Sequence, residues 1–162
     1  MNAPVIGIDI GGSALGLDYV DLYLIHWPHP QQDRYVETWQ ALEKILAEGR
    51  AKSIGVSNFQ PHHLSRLFKE TSVRPVVNQI EVHPGFQNER LRQFNAEHNV
   101  LTQAWSPLGG GTVLGNPELE AIARKHSRSV VQVVLRWHVE IGNVVIPKIR
   151  YSRQDAREHR HL

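Results

Sequence analysis

The chain has no cysteine, so neither a disulfide framework nor a thiolate metal site is open to it. That absence fits a cytoplasmic protein, which is the expected location. No apolar run approaches the ~20 residues that span a bilayer, so no membrane helix is expected. No basic region followed by an apolar stretch opens the sequence, so no signal peptide is expected either. Self-similarity at a period of roughly 20–50 residues is absent, and so is low-complexity sequence, which argues against a solenoid or a disordered chain. What remains is ordinary for a soluble globular protein: 41% hydrophobic and 21% charged residues. Its 162 residues are enough for one domain with a real core. The net charge is only +2, but Arg150, Arg153, Arg157, His159, Arg160 and His161 crowd the last segment. Such a basic end suits contact with nucleic acid or an acidic surface, but a solvated, disordered tail with no specific nucleic-acid site is the expectation.

Apolar periodicity divides the chain into alternating short strands and helices. Strands are expected at 5–10, 20–26, 51–56, 76–82, 100–105 and 144–146. Helices are expected at 35–48, with Trp39, Leu42, Ile45 and Leu46 on one face, then at 61–69, 88–98, 117–126 and 129–139. Gly49 supplies a C-cap to the first helix, and Pro61 opens the second. This rhythm predicts an α/β fold with a parallel sheet and right-handed crossovers.

Four motifs stand at the ends of these strands, in order. They are Leu22-Tyr23-Leu24-Ile25-His26-Trp27-Pro28, Gly55-Val56-Ser57-Asn58-Phe59, Asn78-Gln79-Ile80-Glu81-Val82-His83-Pro84 and Ala104-Trp105-Ser106-Pro107-Leu108-Gly109. Together they resemble the aldo-keto reductase family, from Leu15 to about Lys148. The resemblance covers only the later part of that family's barrel, and a complete (β/α)₈ barrel typically takes about 250 residues. The expected architecture is therefore a partial TIM-type (β/α) barrel, about five family strands plus an N-terminal strand. The expected division is 1–14, a foreign strand and turn; 15–148, the partial barrel; and 149–162, a divergent basic tail.

Neither end follows the family. Ile6-Gly7-Ile8-Asp9-Ile10-Gly11-Gly12-Ser13 resembles the first phosphate-binding hairpin of sugar kinases in the actin-like ATPase superfamily. That fold needs two large domains, so a captured strand and turn is the expectation. After Ile146-Pro147-Lys148, one back-translation of residues 149–162 read a nucleotide later restores a family-like continuation. A single-nucleotide frameshift after Lys148 is the resulting hypothesis, and coding DNA incompatible with that second reading would overturn it.

The resemblance also implies roles. His26 matches the histidine that orients or polarises the substrate carbonyl. Ser57, Asn58 and Gln79 match residues that hydrogen-bond the nicotinamide carboxamide; without the resemblance, Ser57-Asn58 reads as a helix N-cap. Trp105 matches the aromatic that stacks on the nicotinamide, and otherwise reads as a core residue. Ser106, Leu108 and the following glycines match the pyrophosphate loop, where glycine admits backbone N–H groups to phosphate oxygens. Lys148 matches a partner of the 2′-phosphate of NADP. His83 and Glu81 read as structural, and no metal is expected. The family's Tyr proton donor, with its Lys and Asp partners, comes from early strands that this sequence does not match. Tyr19 and Tyr23 match structural positions; Tyr35 and Tyr151 lie in unrelated contexts.

The implied cofactor is NADP(H), and the implied reaction is hydride transfer to a small aldehyde or ketone. The Trp-Ser-Pro-Leu-Gly pattern resembles bacterial members that reduce keto-sugars and small aldehydes. A truncated enzyme of feeble or no activity is the first expectation. The alternative is a noncatalytic, self-associating partial barrel that binds a nucleotide.

Overall fold

The computed structural model describes residues 6–7 and 18–147. Its elements run β1 (Ile6–Gly7), β2 (Leu22–Ile25), α1 (Tyr35–Ala47), β3 (Ile54–Ser57), α2 (Pro61–Glu70), β4 (Val77–Glu81), α3 (Glu89–Glu97) and β5 (Leu101–Trp105). A 3₁₀ turn (Gly109–Gly111), α4 (Pro117–Lys125), α5 (Val130–Glu140) and β6 (Val144–Val145) follow. The six strands form one sheet in chain order, and every pair is parallel. This is the α/β architecture that the strand–helix rhythm predicts. The rest of the expected strand at 5–10, the turn at Gly11-Gly12 and the tail at 149–162 lie outside the described residues.

Helix ends follow their local chemistry. Gly49 has φ +73°, and the N–H groups of Gly49 and Arg50 donate to the carbonyls of Leu46 and Ile45. This paired closure, with glycine in the left-handed region, satisfies the last carbonyls of α1. At α5 the Ser129 hydroxyl accepts from the Gln132 N–H at 3.2 Å, while Gln132 Oε1 accepts from the Ser129 N–H at 2.9 Å. That is a reciprocal capping box.

The helices cover one face of the sheet. Ile25, Ile54 and Val56 pack beneath Trp39, Leu42, Leu64 and Leu67 in the larger core. Ile80, Val82, Leu91 and Ala104 form a smaller one, with Trp137 and Val145 against it. Two residues of α1, one turn apart, also fasten the loop leading to β4. Trp39 Nε1 donates to the Val73 carbonyl at 2.9 Å, and Glu43 Oε1 accepts from the N–H groups of Ser72 and Val73.

The opposite face carries Leu24, Gly55, Val77, Gln79 and Gln103. Here Gly55 is required by space. A Cβ on it would lie 2.5 Å from Val77 Cγ1, 2.7 Å from Leu24 Cδ2 and 2.9 Å from the Val77 carbonyl oxygen. The two side chains can turn away, but the carbonyl belongs to a paired strand and cannot. Gly55→Ala is expected to cost about 1–3 kcal/mol through overpacking. Urea denaturation measures this, and an unchanged midpoint would show that β3 and β4 can part without penalty.

Candidate functional site

The C-terminal ends of the parallel strands gather the candidate residues. β2 ends before His26, β3 ends at Ser57, β4 carries Gln79, and β5 ends at Trp105. The register places Ser57 beside Gln79, and Gln79 beside Gln103.

Hydrogen bonds then join these strand ends directly. The Ser57 hydroxyl and the Asn58 N–H both donate to the Gln79 carbonyl, each at 2.9 Å. Asn58 Nδ2 donates to the His26 carbonyl and to Ser57 Oγ, both at 3.1 Å. Asn58 Oδ1 accepts from the indole Nε1–H of Trp105 at 3.0 Å. One amide side chain therefore links the ends of β2, β3 and β5. Asn58 reaches all three because its backbone is left-handed, with φ +63°. Asparagine tolerates that region better than most residues. Ser57 and Gln79 are buried, Asn58 and Trp105 are half-buried, and His26 is exposed. Gln79 Nε2 donates to Gln103 Oε1 at 2.8 Å, a bond in which Gln79 Oε1 takes no part.

α2 does not draw its cap from Ser57 or Asn58, as the alternative reading of that pair expected. The helix begins after Gln60, whose N–H donates to His63 Nδ1 at 3.1 Å. The backbone of Phe59 is held instead by Asn78, a fully buried amide that accepts from the Phe59 N–H and donates to the Phe59 carbonyl. Asn78 and Gln103 are site-supporting residues that the motif reading missed. The available signal is a polar side chain inside a strand expected to be buried, where burial demands a partner.

The loop after β5 carries Ser106 and Leu108. Ser106 is exposed with φ +49°, and Leu108 is half-buried. Gly109, with φ +57°, donates its N–H to the Ser106 carbonyl at 2.7 Å. A Cβ there would meet Thr112 Oγ1 at 2.5 Å and His83 Nδ1 at 3.1 Å, so both backbone angle and contact favour glycine. His83 Nε2 lies 3.7 Å from Glu81 Oε1. Among the described residues no group of acids and histidines is arranged to hold a metal. Lys148 lies outside the described residues.

The tyrosines with described surroundings are committed elsewhere. Tyr35 is buried edge-on against Phe59 and His63. Tyr19 lies under Lys52 Nζ, 4.0 Å from its ring centre, ahead of β2. Tyr23 packs against the core on the helix-covered face.

The sequence matches the Aldo/keto reductase family over residues 12–157. The chain belongs to the aldo-keto reductase family. Among solved aldo-keto reductases, one from Brucella melitensis is 58% identical with a TM-score of 0.80, and the match covers 83% of this chain and 52% of that one. One from Bombyx mori, solved in complex with NADP, is 37% identical with a TM-score of 0.78, covering 88% of this chain and 52% of its own. The methylglyoxal reductase DkgA of Escherichia coli K12 is 51% identical over 136 residues, which are 83% of this chain and 50% of that protein. The chain thus spans about half the length of the aldo-keto reductases it matches, and its sheet corresponds to part of their barrel. Among the described residues no helix is long and apolar enough to cross a membrane.

Two buried histidines give the aldo-keto reductase chain a pH dependence. Burial lowers the pKa of His63, aided by the charge of His62, and burial lowers that of His138. An unfolded histidine titrates near 6.5. Below that pH the unfolded chain binds more protons than the folded one, so folding weakens as pH falls. The urea midpoint is therefore expected to drop between about pH 7 and pH 5.5. A flat midpoint across that interval would show that neither ring stays neutral in the folded state.

Proposed function

We propose that this chain provides the nicotinamide side of an NADP(H)-dependent aldo-keto reductase site, acting on small aldehydes or ketones. The observation that carries the reading is the convergence of Ser57, Asn58, Gln79 and Trp105 through direct hydrogen bonds at the strand ends. This set fits a nicotinamide carboxamide. Short amide and hydroxyl groups, already oriented by one another, leave acceptor lone pairs and the second Gln79 Nε2–H for a flat amide at little entropic cost. The Trp105 indole is held by its own N–H, which leaves its ring face for stacking. Ser106, Leu108 and the glycine turn suit the pyrophosphate, and Lys148 a 2′-phosphate.

NADPH, when bound, supplies the hydride that reduces the carbonyl carbon. His26, exposed at its strand end, donates a ring N–H to the carbonyl oxygen and orients the substrate. Its main chain is fixed by the Asn58 bond to its carbonyl. Protonation of the oxygen is the weak step. A positioned general acid is typically worth about 10²–10⁴-fold, and Tyr19, Tyr23 and Tyr35 occupy structural places. The chain by itself is therefore expected to bind cofactor and to turn over carbonyls feebly or not at all.

Titrating purified, size-characterised protein with NADPH by fluorescence tests this, together with a carbonyl-reduction assay on the same sample. Methylglyoxal is a suitable first substrate because a relative is a methylglyoxal reductase. Binding without turnover supports the reading. Turnover at the rate of an intact enzyme means another group delivers the proton, and absence of binding sinks the cofactor assignment.

A second reading rests on a separate observation. Leu101 is 57% exposed on β5, and Val144 is 43% exposed on the edge strand β6. Unpaired edges and apolar surface favour self-association, in which two chains cover each other's sheets and bind a nucleotide without catalysis. A monodisperse monomer by light scattering would count against it.

A further inference from the structure

We infer that His138 is a positioning residue for the loop spanning 106–111, and that through this loop it sets the affinity for the pyrophosphate-bearing cofactor. The inference rests on the cofactor reading above. His138 lies on α5, two elements along the chain from the loop, and is completely buried. Its Nε2 is 3.2 Å from the carbonyl oxygen of Pro107, the residue between Ser106 and Leu108. A carbonyl can only accept, so Nε2 carries the proton. Nδ1 is then the acceptor, and Asn143 Nδ2 lies 3.2 Å from it as the donor. Asn143 is itself buried, just before β6. The pair thus selects one neutral tautomer of the ring, and that tautomer grips the loop from beneath.

Among the described residues, His138 makes the side-chain hydrogen bond that holds the Pro107 carbonyl. Ser106 is exposed, and the glycine turn is closed by short-range backbone bonds from Gly109, Gly111, Thr112 and Leu114. The ring's charged and titratable neighbours are Arg92 on α3 and His83 after β4. Both oppose a second proton, as does burial. A protonated ring would also turn an Nδ1–H toward the Asn143 amide donor. Protonation would break the Asn143 contact but leave the Nε2–H on the Pro107 carbonyl, a bond that itself favours the charged ring, so the hold on the loop does not depend on the ring staying neutral.

The test compares the full chain with His138→Gln and His138→Leu. Glutamine can return an N–H near the ring's Nε2, whereas leucine cannot. Affinity for NADP⁺ is read from tryptophan fluorescence, and exchange of the loop amides Gly109, Gly111 and Thr112 is read without cofactor. Both variants are checked for cooperative melting above the assay temperature. The leucine variant is expected to bind NADP⁺ about tenfold more weakly and to exchange those amides faster, with glutamine restoring most of both. A merely structural histidine would lower melting without changing loop exchange, and glutamine would then restore stability but not affinity. Equal affinity and equal exchange in the leucine variant overturn the inference. If the parent chain binds no NADP⁺, the cofactor reading fails and takes the affinity claim with it; faster loop exchange in the leucine variant would still establish the positioning role.

Discussion

Asn58→Leu is expected to destabilise the chain by about 2–5 kcal/mol and to remove NADP(H) binding. The estimate combines two costs. The half-buried Trp105 indole N–H loses its partner, at about 1–3 kcal/mol, while water can replace the bond to the exposed His26 carbonyl. A branched side chain must also adopt φ +63°, at roughly 1–2 kcal/mol. Set against a typical total of about 5–15 kcal/mol, this is a large loss. Asn58→Gly separates the parts, because glycine accepts the backbone angle but makes none of the side-chain bonds. It should recover the backbone share of the stability and none of the binding. Urea denaturation and cofactor titration read both. An Asn58→Leu protein as stable as its parent would mean that the strand ends do not depend on this amide.

Trp39→Ala is expected to cost about 4–6 kcal/mol, enough to unfold much of the population at room temperature. The indole is fully buried in the larger core, and truncating a buried tryptophan typically costs about 3–5 kcal/mol. Its N–H also holds the Val73 carbonyl, which adds about 1 kcal/mol. Trp39→Phe keeps most of the volume and loses the bond, so it should fall between the two. A cost under about 2 kcal/mol for the alanine variant would show that α1 is not integral to the domain.

These two residues mark what could and could not be read in advance. Trp39 was legible as core because it recurs with Leu42, Ile45 and Leu46 at helical spacing, and burial follows from that stripe. The parallel sheet was legible because the strands from β2 to β5 are each followed by an amphipathic helix, the crossover that parallel pairing needs. The residues gathered at the strand ends came from resemblance rather than periodicity. Ser57, Asn58, Gln79 and Trp105 have no common spacing, and only the register of the sheet makes them neighbours. Asn78, Gln103 and His138 escaped notice for a related reason. Each is a polar residue buried within a strand or helix, and its partner lies elsewhere in the chain: the Phe59 backbone, Gln79 and Pro107 respectively. Pattern reading shows that such a residue needs a partner but not which one it has.

The order of the strands has a further consequence, for assembly in time. Each strand pairs with the one made immediately before it, so no pairing waits for a distant part of the chain. Each closure spans one unit of the chain, as from Ile6 to Leu22 or from Gln103 to Val144, and never its whole length. A polypeptide of this design can add one strand and its helix at a time as it leaves the ribosome. The newest strand edge is always the growing end of the sheet, and it stays bare until the next unit is translated. A pause in synthesis would leave that edge open to other chains, so the pace of translation becomes part of how safely the protein is made.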